Sequence, residues 1–422
     1  MINIFLFACL FHDQVPGAPQ TQAIVIKGGD LYTVSHGVLH ATDLRLEGGK
    51  ITAIGEVSLT DAIIVDAQGQ RVYPGLIAPM TRLGLTEIDA VRATNDTAEV
   101  GDLTPEVLAG IAFNPDSELI PTVRSNGIAV AQVAPGGGLL QGQSSLLMLD
   151  GWNREDMALN MSVGMHLKWP NVRVREGWWV RDSAEEQRDK MSKQALALRE
   201  AFAQAKAYHL AREASRIMPK NTRWESMRPL FKGEIPLYVE ADEYKQIQQA
   251  LEFTESFGLK MVLCGGNDAW RLADVLKERG IPVILAPQTR LPDRADDHYD
   301  LPYKTPHLLH ESGVQFCISI PSSWAVRNLP LQAGIAMAFG LPDDAALRSI
   351  TLSTAEILGV SDRLGSLDVG KDATIIISKG DITDTLGLNI TAMYIQGRAV
   401  DLDNRHRQLH RKYATRLERA GK

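Results

Sequence analysis

Pro236-Leu237-Tyr238-Val239-Glu240-Ala241, Lys260-Met261-Val262-Leu263-Cys264 and Ile281-Pro282-Val283-Ile284-Leu285-Ala286 are short apolar runs separated by two longer amphipathic stretches. Runs of this length, bounded by turn residues, read as buried strands. Between the first two, Asp242 to Phe257 brings Ile247, Leu251 and Phe253-Thr254 near one face at helical spacing. Gly265-Gly266 ends the second strand, and Gly280 stops a helix over Asp268 to Arg279. Gln315 to Ile320 reads as a further strand. Repeated βα units imply a parallel sheet, because a strand returning in the same direction needs a crossover connection.

Over roughly 285 residues, such units fit a closed (β/α)8 TIM-like barrel. An open doubly wound sheet is the alternative architecture. The outer parts of the chain differ from this middle. Ala23 to Lys27, Asp43 to Glu47, Lys50 to Ile54 and Ala62 to Asp66 are strand-like, with Gly28-Gly29 and Gly48-Gly49 as turns. Ala373 to Ile377 and Ala392 to Gln396 form a matching set at the far end. Two strand-rich ends around an α/β middle predict a small composite β-sandwich domain built from both termini. The expected organisation is an N-terminal segment 1–22, a composite β-domain 23–72 and 362–402, a barrel 73–361 and a helical tail 403–422.

Ser183 to Ser215 reads as a long solvated helix inserted into the barrel, and Gln288 to Pro306 as a long loop rich in Pro and Asp. The tail carries Arg405, Arg407, Arg411, Lys412, Arg416 and Arg419, a pattern expected of a surface helix.

With 422 residues, 45% hydrophobic and 23% charged, the composition is that of a chain with a large core. The net charge of −7 and the lack of a basic stripe argue against nucleic acid as a partner. Cys9, Cys264 and Cys317 form no Cys-x-x-Cys pair, which excludes the usual structural zinc motif. The apolar run Ile2 to Phe11 is too short to span a bilayer. It fits the core of a secretory signal, but has no positive flank before it and no Ala-x-Ala after it. Leu6-Phe7-Ala8-Cys9 loosely resembles a lipoprotein processing site, and Asp13 to Gln22 is polar and Pro-rich, like the start of an exported protein. Periplasmic and cytoplasmic locations both stay open, and no other segment is expected to cross a membrane.

Three further motifs occur in order. Tyr73-Pro74-Gly75-Leu76-Ile77 resembles the segment leading into the first barrel strand of amidohydrolases. Thr351-Leu352-Ser353-Thr354-Ala355-Glu356-Ile357-Leu358-Gly359 resembles the helix before that family's return to its β-domain. Gly365-Ser366-Leu367-Asp368-Val369-Gly370-Lys371-Asp372-Ala373 resembles the stretch that follows. The resemblance runs from about residue 22 to 402 and points to the imidazolonepropionase-like and prolidase-like branch of the amidohydrolase superfamily. It implies hydrolysis of carbon–nitrogen bonds by zinc or another divalent metal that acidifies a bound water, with an Asp as general base. It also implies a His-x-His pair ending strand 1, a Lys or Glu on strand 4, single histidines on strands 5 and 6 and an Asp on strand 8.

At those positions this chain has other residues. Met80 and Arg82 replace the His pair, Glu240 and Cys264 stand at the later histidines, and Ile320 or Pro321 stands at the Asp. A permanent guanidinium repels a metal, and neither Ile nor Pro accepts a proton. The resemblance therefore implies the fold without the metal, and no cofactor is expected. Arg82 and Glu240 are expected to point into the old cavity as a buried pair, or else Arg82 reaches solvent through the barrel mouth. Gly137 and Gly138, in the run Pro135 to Gln143, and Lys168, at the strand-4 position, are candidates to line the cavity. Met80 with Cys264 would make a soft metal pair, against which core packing is weighed. His307 and His310, three apart on a helix, are the remaining metal candidates, and His166 is a rim candidate or a structural histidine.

Three readings of function follow. The first is a non-catalytic amidohydrolase-like protein that binds a small molecule or assembles with an intact amidohydrolase or with itself. The alternative is an active hydrolase of amide, lactam or dipeptide bonds with an atypical site. A purely structural partner, its cavity filled by Met80, Leu263 and Trp324, is the third reading.

Overall fold

The computed structural model describes residues 14–421. The Ile2–Phe11 run and Cys9, on which the export reading turns, lie outside the described residues. The chain enters through β1 (Ala23–Tyr32), β2 (Val38–Glu47), β3 (Lys50–Ile54), β4 (Ala62–Asp66) and β5 (Arg71–Pro74). The barrel strands follow: β6 (Leu76–Thr81), β7 (Ile128–Val133), β8 (Leu140–Met148), β9 (Ala158–Lys168), β10 (Leu237–Ala241), β11 (Met261–Gly265), β12 (Val283–Leu285) and β13 (Phe316–Ile318). The chain returns through β14 (Ile375–Ser378), β15 (Ile390–Ile395) and β16 (Arg398–Ala399).

The two ends of the chain share one sheet in the order β16-β15-β14-β5-β1-β2-β3, with β4 also paired to β1. The junction is β14 against β5, antiparallel, with Ile375 opposite Pro74 and Ser378 opposite Arg71. β1 pairs with β4 along Ala23 to Lys27 and with β5 at Asp30 and Leu31. One strand thus serves two neighbours along one edge, and the sheet bends around a core of Ile24, Ile26, Leu44, Leu46, Ile375 and Tyr394. The motif ending in Asp372-Ala373 has a clear role here. Asp372 is buried, and its carboxylate accepts from Lys50 Nζ at 2.6 Å and Arg363 Nη2 at 2.8 Å. A carboxylate so enclosed needs these paired donors to offset its lost hydration.

The second sheet has eight strands in the order β13-β12-β11-β10-β9-β8-β7-β6 and curls into a nearly closed barrel. Across the remaining gap, the Arg82 backbone N–H donates to the Pro321 carbonyl at 3.0 Å. Seven strands run one way. β8 runs against them, antiparallel to both β7 and β9, which departs from the uniform βα repeat that the sequence predicts. The inserted helix spans Ala184–Glu213 and starts in a capping box made by Ser183 and Glu186. The tail helix is Arg405–Arg419, with no buried residue. Among the described residues, no helix is long and apolar enough to cross a membrane.

Candidate functional site

The parallel register carries the strand-end side chains to one face of the barrel. Lys168 pairs with Glu240, and Glu240 with Cys264, in adjacent strands. Met80 closes this row from β6, with its Sδ 4.0 Å from Cys264 Sγ. Met80 has φ +55°, a left-handed conformation unusual for a residue with a side chain. It is held there by its own N–H, which donates to Gln132 Oε1 at 3.1 Å. The Gln132 amide in turn donates to Ser144 Oγ at 2.9 Å. Both sulfur-bearing side chains are buried in the main core. Burial drives the Cys264 thiol well up, and the nearby Glu240 adds to this.

Glu240 is half-buried. Loss of water raises its carboxyl, while Lys168, Arg82 and the Gln141 amide oppose that shift. Lys168 and Arg82 are both exposed, and neither closes an ion pair with Glu240 among the described residues. The expected buried Arg82–Glu240 pair therefore does not form. Arg82 lies one residue past the end of β6, and its backbone is tied to Pro321 on the far side of the gap. Its guanidinium reaches over the glycine run, where a Cβ on Gly136 would meet Arg82 Nη2 at 3.4 Å. Gly137 and Gly138 are fixed by close contact: a Cβ on Gly138 would stand 2.7 Å from the Gly101 carbonyl. The run is thus packed beneath residues 97–102, next to Arg82.

Ile320 is buried and Pro321 exposed at the end of β13. Trp324 lies away from the mouth, beneath the Arg327 guanidinium at 4.2 Å and edge-on to His406 of the tail helix. It does not fill the cavity with Met80. His166 is fully buried rather than at the rim. It stacks on Tyr238 with centroids 4.9 Å apart and planes 5° from parallel. Among the described residues neither ring nitrogen has a partner, and burial pulls its pKa down to about 3. His307 and His310 lie on the helix Leu301–Ser312, where His307 Nε2 is 3.4 Å from Glu311, a carboxylate the sequence reading passed over.

Asp242 is a site residue that the sequence reading missed. It follows Glu240 by two positions, the strand period, which is the signal that would have found it. It is exposed, yet the protein crowding its carboxyl pushes the pKa to about 6, helped by Asp293 and Glu240 and opposed by Arg290.

These residues do not suit a divalent metal. A borderline metal takes imidazole, thiolate or carboxylate ligands. The mouth offers two cations, a thioether, a thiol held protonated by burial and two carboxyls whose pKa values are raised. Among the described residues, no group of three or more His, Cys, Asp or Glu side chains gathers in a metal-binding arrangement. A cavity of about 860 Å³, lined by Asn160, Pro236, Tyr238, Met261 and Pro282, lies elsewhere, at the N-terminal ends of the strands.

Residues 304–400 match the model of the amidohydrolase family. The chain is 21% identical over 374 residues to the amidohydrolase tasK of Hapsidospora irregularis, covering 80% of this chain and 38% of that protein. The chain thus spans well under half the length of that curated relative. The structure resembles an amidohydrolase from Thermotoga maritima MSB8 with TM-score 0.79 and 23% identity, covering 90% of this chain and 99% of the other. A prolidase complexed with N-methylphosphonate-L-proline superposes with TM-score 0.55 and 16% identity, covering 90% and 99%. These likenesses establish the shared fold.

Proposed function

We propose that the chain is a metal-free, non-hydrolytic relative of the amidohydrolases that binds a small molecule at the barrel mouth, a reading supported by the family match over residues 304–400 and the shared fold. The observation that carries this reading is that Met80, Arg82, Glu240 and Cys264 stand where the resemblance implies metal-binding histidines, with Lys168 in register beside Glu240. The two cations supply positive charge where the family places a metal, and Glu240 supplies a hydrogen-bond acceptor beside them. A ligand that fits has an anionic group for Arg82 and Lys168 and an N–H for Glu240. Carboxylate-bearing amides and amino acids meet that description. The prolidase of similar fold holds a proline derivative, so prolyl compounds belong in the first screen.

No proton acceptor stands at Ile320 or Pro321, and the Cys264 thiol stays protonated, so neither can activate water. Elemental analysis after dialysis against zinc and manganese tests the proposal. Less than about a tenth of an equivalent per chain is expected, since tight binding needs a ligand cluster. Close to one equivalent overturns it.

One observation favours the alternative hydrolase. Glu240 and Asp242 are neighbouring carboxyls with raised pKa values, a pairing that can move protons. The same preparation is therefore assayed against cyclic amides and dipeptides. Turnover that Glu240→Gln abolishes establishes the hydrolase instead.

A further inference from the structure

We propose that two copies of this chain dock mouth to mouth, each placing its Trp178–Trp179 loop on the acidic 87–102 segment of the other. The segment 170–182 leaves β9 directly after Lys168. Trp178 is 93% exposed and Trp179 65% exposed. Arg173, Arg175 and Arg181 are exposed on the same loop and outnumber its exposed acids Glu176 and Asp182. The loop is built rather than loose. Gln187 of the inserted helix accepts from the Arg175 N–H at 2.8 Å and donates to the carbonyls of Arg175 and Asp182 at 3.0 and 3.1 Å. Two indoles held in water by an ordered loop are what a contact surface looks like, since Trp and Arg dominate interface energetics.

The complementary surface lies on the same face. The segment 87–102 begins five residues after Arg82 and carries Glu87, Asp89, Asp96, Glu99 and Asp102 against the single cation Arg92. Ile88, Val91 and Val100 are exposed within it, Val100 almost wholly. One surface is aromatic with a small net positive charge, three arginines against two acids, and the other is aliphatic and acidic, five acids against one arginine. Among the described residues, no ion pair joins them within one chain. A two-fold axis over the mouth matches each surface to its opposite twice, as a self-complementary interface requires. Four indoles at roughly 200 Å² each, with a similar area beneath them, bury about 1,600 Å², the size of a stable interface. Leu291, 85% exposed on the loop after β12, adds to the apolar rim.

Arg82 and Lys168 stand at the roots of these two loops. The second copy therefore roofs the mouth, and its indoles become part of the wall around any ligand held there. The dimer itself does not depend on the ligand reading, so either can fail alone.

Sedimentation and light scattering of the intact chain at tens of micromolar test the proposal. A dimer is expected that weakens as salt rises and becomes a monomer in Trp178→Ala/Trp179→Ala. Both indoles are exposed, so this variant keeps its fold, which circular dichroism verifies. Arg173→Asp/Arg175→Asp and Asp89→Arg/Glu99→Arg are each expected to be monomeric alone and to form a heterodimer when mixed. A monomeric wild type, a dimer indifferent to the Trp substitutions, or failure of the mixed variants to pair overturns the proposal.

Discussion

Replacing Asp150 by Ala removes the carboxylate on which three parts of the chain converge. Arg124 Nη1 lies 3.1 Å from Asp150 Oδ1, with the two side chains 6% and 1% exposed. Arg398, in β16, the last strand of the outer sheet, reaches Asp150 Oδ2 at 3.5 Å. The Gly17 N–H donates to both carboxylate oxygens at 3.3 and 3.2 Å. Burial already lowers the Arg124 pKa even with Asp150 beside it. Without Asp150, the guanidinium is a buried charge lacking its counter-ion, which costs about 3–5 kcal/mol. With an unfolding entropy of about 2.1 cal/mol/K per residue, a chain of 422 residues has about 0.9 kcal/mol/K. The expected fall in Tm is therefore about 3–6 °C by differential scanning calorimetry. The double variant Arg124→Leu/Asp150→Leu removes both charges and should recover most of that loss, because well-packed apolar groups replace buried pairs at little cost. A fall below about 1 °C for Asp150→Ala, or a double variant worse than the single, refutes the reasoning.

Two further outcomes follow from perturbed groups. Asp242 has a folded pKa of about 6 against a usual 3.8, so its favourable contribution is complete below pH 3.8 and is lost as pH rises through 6. Asp242→Asn should therefore equal or exceed the parent in Tm at pH 7.5 and lose the advantage at pH 3.5; after allowance for solvent screening the difference is of order 1 kcal/mol, and a less stable variant at pH 7.5 contradicts it. His166 is depressed to about 3, so the parent loses stability as pH falls from 6.5 towards 3, by up to about 1.4 kcal/mol per unit. His166→Phe keeps the stack on Tyr238, removes two unpartnered ring nitrogens worth about 1–3 kcal/mol and should flatten that acid slope; an unchanged slope shows that His166 is not its source.

The strands β10 to β13 were legible because each is a short buried run between glycines and amphipathic helices, so their bounds and shared direction follow from local pattern. The row Lys168, Glu240, Cys264 was legible for the same reason, since parallel register carries equivalent positions to one end. The direction of β8 was not. All nine residues from Leu140 to Met148 are buried, so no polar face marks its orientation, and apolar runs carry no arrow. The absence of the Arg82–Glu240 pair was equally hidden. The Arg82 guanidinium lies against the glycine run at Gly136, over fifty residues away in sequence. Of the two readings of His166, rim or structural, the structure shows the buried one, and the ring of Tyr238 that covers it comes from a strand about seventy positions later.

The reversed strand also bears on how the barrel forms. β7, β8 and β9 make an antiparallel meander in which each strand meets its neighbour through a short connection, whereas β9 must wait for β10 across the whole helical insertion. Closing a short loop sacrifices less chain entropy than closing a long one, and local pairings assemble faster. The meander is thus the part of the sheet that can condense first and serve as the edge on which the parallel strands add in turn. In pulse-labelled hydrogen exchange, the amides of Ile128 to Lys168 should gain protection ahead of those of Leu237 to Ile318.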